Sequence, residues 1–370
     1  MARSPFTLAA LATAAVSEFT ITGVCTHSTT GVDDFDAALV NEHDGSIYIV
    51  RVPNSAAAER EQNADLVALN ALSIGARSRL PFDVPQYRGQ SPTGDTRALV
   101  YTFLKGHHVQ AEHIEAGSGL DRSCGRAIAG IHSLPHNVVT DAGLPQRSAS
   151  ECRRESSDIV ESATATHLLP ITLRERWRDA VADDALWQFQ PTVINGSLTV
   201  DSLLVAGNEV TAILGWSQLS VGDPAQDLHW LLSLNSDASQ NALREYTNSR
   251  KVAADQSLTQ RAHLYSELGV ARWLLHGRAL RDSSIVDDAV TMLDTLVDAA
   301  RNSLLDPLTS ATSPTLALDD VEDLLNHTPG ETETAPGAGF APVSDNDTVP
   351  LLDDETDSDP DATPTLKVDF

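Results

Sequence analysis

The chain has 370 residues, 41% of them hydrophobic, and its 52 acids against 25 bases leave a formal net charge of −27. That hydrophobic content is ordinary for a folded protein, and the length allows two lobes with a substantial core. The acidic balance without a basic stripe excludes nucleic acid as a partner, and the lack of any run of roughly eighteen apolar residues gives no reason to expect a membrane partner.

The opening segment, MARSPFTLAALATAAV, reads as a helix with Ser4 as N-cap and Pro5 in its first turn; an export signal is the alternative, weakened by its alanine content. Residues 37–40 and 47–52 are alternating apolar strands around an Asp44-Gly45 turn. The segment before them, HSTTGVDDFD, has one glycine, Gly31, followed by Asp33, Asp34 and Asp36, and reads more readily as a solvated acidic turn than as a phosphate cradle. Arg51 lies near the end of the second strand and, read from the residues alone, faces solvent on an edge strand. Asn54 and Ser55 open a helix, AAAEREQNADLVALNAL, with Leu66, Val67, Leu69, Ala71 and Leu72 on its inner face and Glu61 and Asp65 among its acids.

Residues 80–89 and 97–106 follow, the second a buried strand ending at Gly106. A helix over 119–134 carries Ala127, Ile128, Ile131 and Leu134 on one face, with His132 read as structural rather than catalytic. Residues 148–190 are helical and include Trp177 and Trp187. Residues 192–232 hold a strand or tight loop, a hairpin (202–205, turn 206–208, 210–214) and a Gly222-Asp223-Pro224 turn that opens a helix. Helical periodicity returns over 236–304. From residue 306 onward, sixteen acids, one lysine and eight prolines fall in sixty-five residues. That composition predicts a disordered acidic tail, with one amphipathic island at 316–327. Cys25, Cys124 and Cys152 are few and dispersed, which argues against a disulfide framework and suits a cytoplasmic location.

The stretches CGRAIAGIHSLP and VGDPAQDL, with the 192–232 pattern between strand and helix, resemble the aminoglycoside/macrolide phosphotransferase family. The resemblance covers about residues 20–300 and implies an α+β, bilobal protein-kinase-like fold. Its N-lobe, a sheet plus one helix covering the nucleotide, would span 1–104. The helical C-lobe would span 105–305, and the tail 306–370. It implies that Arg51 holds phosphates, that Asp65 or Glu61 pairs with it, that adenine binds the backbone near Gly106, and that Asp223 and Asp227 hold the loop-to-helix turn and the 195–202 loop.

The chemistry the family needs is a carboxylate base and metal ligands. This sequence departs there: Asn195-Gly196-Ser197-Leu198 stands where His-Gly-Asp-Leu is expected, Ser202 at the asparagine, and Leu214-Gly215-Trp216 at Ile-Asp-Trp. Ser197 therefore occupies the base position without a base, while Ser202 and Gly215 offer magnesium neither carboxylate nor amide. Asp201 is the one neighbouring carboxylate that could take a metal. The reading is a pseudokinase acting as a binding or scaffolding module for a small molecule or protein, with the 306–370 tail as a protein-contacting segment. The alternative is an active phosphotransferase on a small-molecule hydroxyl, using ATP and magnesium.

Overall fold

A computed structural model describes residues 3–27, 34–250, 255–302 and 305–308. Gly31, Asp33 and the island at 316–327 lie outside the described residues. Helix α1 (Pro5–Ala15) begins at Ser4, whose hydroxyl accepts from the Thr7 N–H. It is followed by strands β1 (Ile21–Thr26), β2 (Phe35–Glu42) and β3 (Ile47–Pro53). Helix α2 (Ala56–Ala71), capped by Ser55, and the short α3 (Ile74–Arg77) lead into β4 (Tyr87–Thr93) and β5 (Thr96–Thr102).

These strands form one antiparallel sheet in the order β1-β2-β3-β5-β4. Strand alternation sorts its two faces. Val50 and Val52 of β3 and Ala98 and Val100 of β5 pack with Leu8 and Ala12 of α1. Ile49, Leu99 and Tyr101 pack with Ala68, Leu69 and Leu72 of α2. Arg51 shares the parity of Ile49 and lies opposite Leu99 in register, which puts it on the α2 side. Strand β3 is flanked by β2 and β5, so Arg51 is not on an edge strand. The inner face of α2 also departs from the sequence expectation. Val67 is exposed, and Ala58, Gln62 and Ala68 are buried instead, because packing against the sheet rather than apolarity sets which side turns inward.

The helical part comprises α4 (Leu120–His132), α5 (Asn137–Thr140), α6 (Ala149–Ala165) and α7 (Ile171–Ala182). Strand β6 (Thr192–Ile194) then pairs with β9 (Ser220–Gly222), and between them β7 (Leu203–Ala206) and β8 (Glu209–Ile213) form a hairpin. The hairpin turn is Gly207-Asn208, shorter than the sequence pattern suggests. After β5 the chain passes Gly106, and His107 pairs with Val205 of the hairpin. Helices α8 (Ala225–Leu228), α9 (Ser236–Ser249), α10 (Leu258–Leu280) and α11 (Ser283–Arg301) complete the described chain. Trp177 is fully buried and Trp187 nearly so, in a second core formed by α6, α7, α10 and α11.

Candidate active site

The loop after β6 is held by one buried carboxylate. The Asn195 and Gly196 backbone N–H groups donate to the two oxygens of Asp227, each at 2.7 Å. Asp227 also accepts from His132, 3.1 Å from Nε2, and His132 Nδ1 is 2.9 Å from the Tyr246 hydroxyl. Arg250 donates to that same hydroxyl oxygen at 3.0 Å. The tautomer follows from Asp227: a carboxylate only accepts, so the proton of His132 sits on Nε2, and Nδ1 accepts from the Tyr246 hydroxyl, whose oxygen in turn accepts from Arg250. Burial pushes the His132 pKa down despite the Asp227 charge, which keeps the ring neutral. Burial likewise pushes the Tyr246 hydroxyl up to about 12, so it remains a donor.

Asn195 ties two loops together. Its side-chain amide donates to the Gly215 carbonyl at 2.8 Å and accepts from the Ser197 N–H at 3.1 Å. The sequence pattern marked Asn195 as a replaced histidine and gave it no role; its signal was an amide, able to donate and accept at once. Gly196 has φ +84°, and a Cβ there would lie 2.6 Å from the Gln218 carbonyl oxygen, so only glycine fits.

Asp223 anchors the next turn. It accepts from the Ala225 N–H at 2.9 Å and from Arg261 through two nitrogens, at 2.7 and 3.2 Å, and Tyr265 donates to it at 3.1 Å. Arg261 is fully buried, also pairs with Asp255, and has its guanidinium carbon 4.2 Å from the Phe189 ring centroid. Asp223 and Asp255 raise its pKa further above the usual arginine value. Sequence reasoning missed Arg261; an arginine four residues before Tyr265 on an otherwise apolar helix face was the available signal.

Arg51 and Asp65 sit close enough to feel each other's charge but form no ion pair. Among the described residues Arg51 has no ion-pair partner; its guanidinium lies over the Phe35 ring at 4.0 Å, and its buried Nε lacks a hydrogen-bond partner. Asp65 instead accepts from the Trp216 N–H at 2.7 Å, next to the residue where the metal-binding aspartate would stand. Burial raises the Asp65 pKa, opposed by that N–H and by Arg51. Glu61 is exposed and also forms no ion pair with Arg51.

A cleft of about 630 Å³ opens between α2 and these loops, and Ser197, Ser202 and Gly215 all line it. The Ser197 hydroxyl is 3.3 Å from Asn195 Oδ1, and the Ser202 hydroxyl accepts from the Thr199 N–H at 3.3 Å. Glu61 supplies the cleft's carboxylate; Asp201 is exposed on the turn and is not part of the lining. Among the described residues no group of three His, Cys, Asp or Glu side chains could hold a metal. Of the cleft's lining residues, Glu61 alone offers a carboxylate oxygen of the kind magnesium takes, and Ser202 and Gly215 offer none.

The sheet-plus-helix N-terminal part, the loop after β6 and the hairpin between β6 and β9 define a bilobal, protein-kinase-like architecture. The phosphotransferase enzyme family model matches residues 33–262, and the chain belongs to that family. It is 24% identical over 226 residues to the uncharacterized protein YcbJ of Bacillus subtilis (strain 168), covering 58% of this chain and 71% of that one. Its fold is similar to that of macrolide 2'-phosphotransferase MphH from Brachybacterium faecium, with a TM-score of 0.63, 24% identity, and coverage of 75% of this chain and 94% of the other. It is also similar to an aminoglycoside 2'-phosphotransferase-IIIa solved with GDP, with a TM-score of 0.62, 21% identity, and coverage of 77% and 95%.

Proposed function

We propose that this family member is a pseudokinase, a ligand-binding module that does not transfer phosphate. The supporting observation is the composition of the cleft: serines at 197 and 202 and a glycine at 215 line the place where a base and two metal ligands would be needed. A preorganised group of this kind is typically worth about 3 kcal/mol of barrier, and none of the three positions supplies one. The loop around the cleft is nevertheless held by hydrogen bonds to Asp227, Asn195 and Asp65. A held loop without reactive groups fits binding better than turnover.

The second reading, an ATP- and magnesium-dependent phosphotransferase acting on a small-molecule hydroxyl, is favoured by Arg51, whose unpartnered Nε faces the α2 side of the sheet. It draws further on the family, since the similar structures include a macrolide phosphotransferase and a GDP-bound aminoglycoside phosphotransferase. The acidic 306–370 segment is the proposed contact for a protein partner. Cytoplasmic residence is supported by three free cysteines, and among the described residues no helix is long and apolar enough to cross a membrane.

The test is incubation of the full chain with γ-labelled ATP, magnesium, and a panel of macrolides and aminoglycosides. The proposal expects no labelled product above a protein-free control. Label transferred to any acceptor would overturn it in favour of the second reading, and loss of that label in Glu61→Ala would tie the transfer to this cleft.

A further inference from the structure

A second pocket lies beyond the catalytic loop, separated from the cleft by Gln218, which lines both. Its volume is about 330 Å³, and its charged lining is Arg147, Arg272 and Glu155. In a chain where 52 acids face 25 bases, a pocket with two guanidinium groups and one carboxylate runs against the composition.

The two arginines have unused donors. Arg147 spends its Nε on Glu155 at 2.8 Å and is fixed by its backbone N–H, which donates to the Val221 carbonyl at 2.9 Å. Its two terminal nitrogens make no bond to the described residues. Arg272, on α10, has no ion-pair partner among the described residues; Glu155 acts on it only from beyond contact distance. A planar guanidinium is the group best matched to a carboxylate or phosphate.

His229 adds a different function. Its Nδ1 lies 2.6 Å from the Gln226 carbonyl, an oxygen that can only accept, so Nδ1 carries the proton and Nε2 is left as an acceptor on the pocket wall. Burial lowers the His229 pKa and keeps the ring neutral.

We propose that this pocket binds a small hydroxylated anion, a sugar acid or a sugar phosphate, with its charge held by Arg272 and Arg147 and a neighbouring hydroxyl donating to His229 Nε2. Its volume is near the lower end of small-molecule pockets, which run from roughly 300 to 1,000 Å³. A macrolide is too large for it, and a polycationic aminoglycoside meets two like charges. The inference builds on the reading of the protein as a binding module. Nucleotide-free binding keeps the two tests apart, because phosphoryl transfer would overturn that reading and leave the ligand class of this pocket standing.

The experiment is isothermal titration calorimetry of the full chain at low salt, without nucleotide, using gluconate, glucose 6-phosphate, glucose and kanamycin. At least one anion is expected to bind with a Kd below about 1 mM, and glucose and kanamycin are expected not to reach that level. Binding of gluconate alone identifies a carboxylate ligand, and binding of glucose 6-phosphate alone a phosphate ligand. Arg272→Gln should weaken the anion at least about tenfold while leaving the thermal midpoint unchanged, since Arg272 is exposed at the pocket edge. Should that variant fail to fold, Arg272→Lys keeps the stem and charge but loses the fork, and the same loss is required of it. Failure of both anions to bind, binding indifferent to the Arg272 change, or displacement of the anion by kanamycin would each overturn the proposal.

Discussion

Replacing Asp227 by asparagine tests whether one carboxylate holds the loop after β6. Asp227 accepts three hydrogen bonds, from Asn195 N, Gly196 N and His132 Nε2, and is fully buried. Asparagine keeps one oxygen and turns an NH2 group toward a donor. If the oxygen stays with Asn195 and His132, the Gly196 N–H loses its partner; in the flipped rotamer the other two donors lose theirs. One buried donor left unpaired costs roughly 1–3 kcal/mol, and the surviving bonds lose their charge assistance, so a loss of about 2–4 kcal/mol is expected. Domains typically have about 5–15 kcal/mol in hand, so the variant should still fold. Urea denaturation reads the change as a lower midpoint with an unchanged m-value. Amide exchange at Gly196 reads it locally, as faster exchange. A loss below about 0.5 kcal/mol with Gly196 exchange unaltered would refute the assignment, because a surface-like substitution gives no more than that.

Three further outcomes follow from the same geometry. Asp65→Asn keeps an acceptor for the Trp216 N–H and should change stability little, whereas Asp65→Ala should cost roughly 1–3 kcal/mol; equal losses in urea melts would contradict the hydrogen-bond role. Gly215→Ala meets only the strain of φ +72°, about 1–2 kcal/mol, because nothing lies within 4 Å of its Cβ. Gly196→Ala adds a clash with the Gln218 carbonyl and should be clearly worse; thermal melts showing the two alike would count against the tight approach. Unfolding free energy should also fall as pH drops below about 6.5, the ordinary histidine value. His132 is neutral when folded and binds a proton when unfolded, so its stabilisation is full above that value and is lost as pH falls through and below it, by up to about 1.4 kcal/mol per pH unit. The carboxylates whose pKa is lowered in the fold, such as Asp36 and Asp121, begin to contribute only nearer pH 3.8, which separates the two effects. In His132→Gln the dependence between pH 7 and 5 should be shallower, and an unchanged slope would assign it to other groups.

Local patterns carried most of the fold. The Asp44-Gly45 turn between β2 and β3, the Ser55 cap of α2 and the apolar face of α4 each depend on residues within one or two turns of one another. The side-chain wiring of the site does not. Asp65 meets Trp216 across 151 positions, and His132 meets Asp227 across 95, so no spacing rule could pair them. The orientation of α2 failed for a related reason: Val67 and Leu69 are both apolar, and only packing against the sheet decides which turns inward. The replaced acids were plain in the sequence, since an absent carboxylate needs no partner to be recognised. That Asn195 ties the loop to Gly215 was hidden, because an amide shows its use only when both its donor and its acceptor are located.

The central proposal is that the cleft does not hold a magnesium-bound nucleotide, because Ser202 and Gly215 stand where its metal ligands would be needed. Its most direct test is a thermal-shift titration of the full chain with ATP, with and without magnesium. A ligand at one hundred times its dissociation constant adds about 2.7 kcal/mol to the folded state, a shift that is easily seen. The account predicts no magnesium-dependent shift at millimolar ATP. A magnesium-dependent shift, whether or not it survives Glu61→Ala, would contradict it.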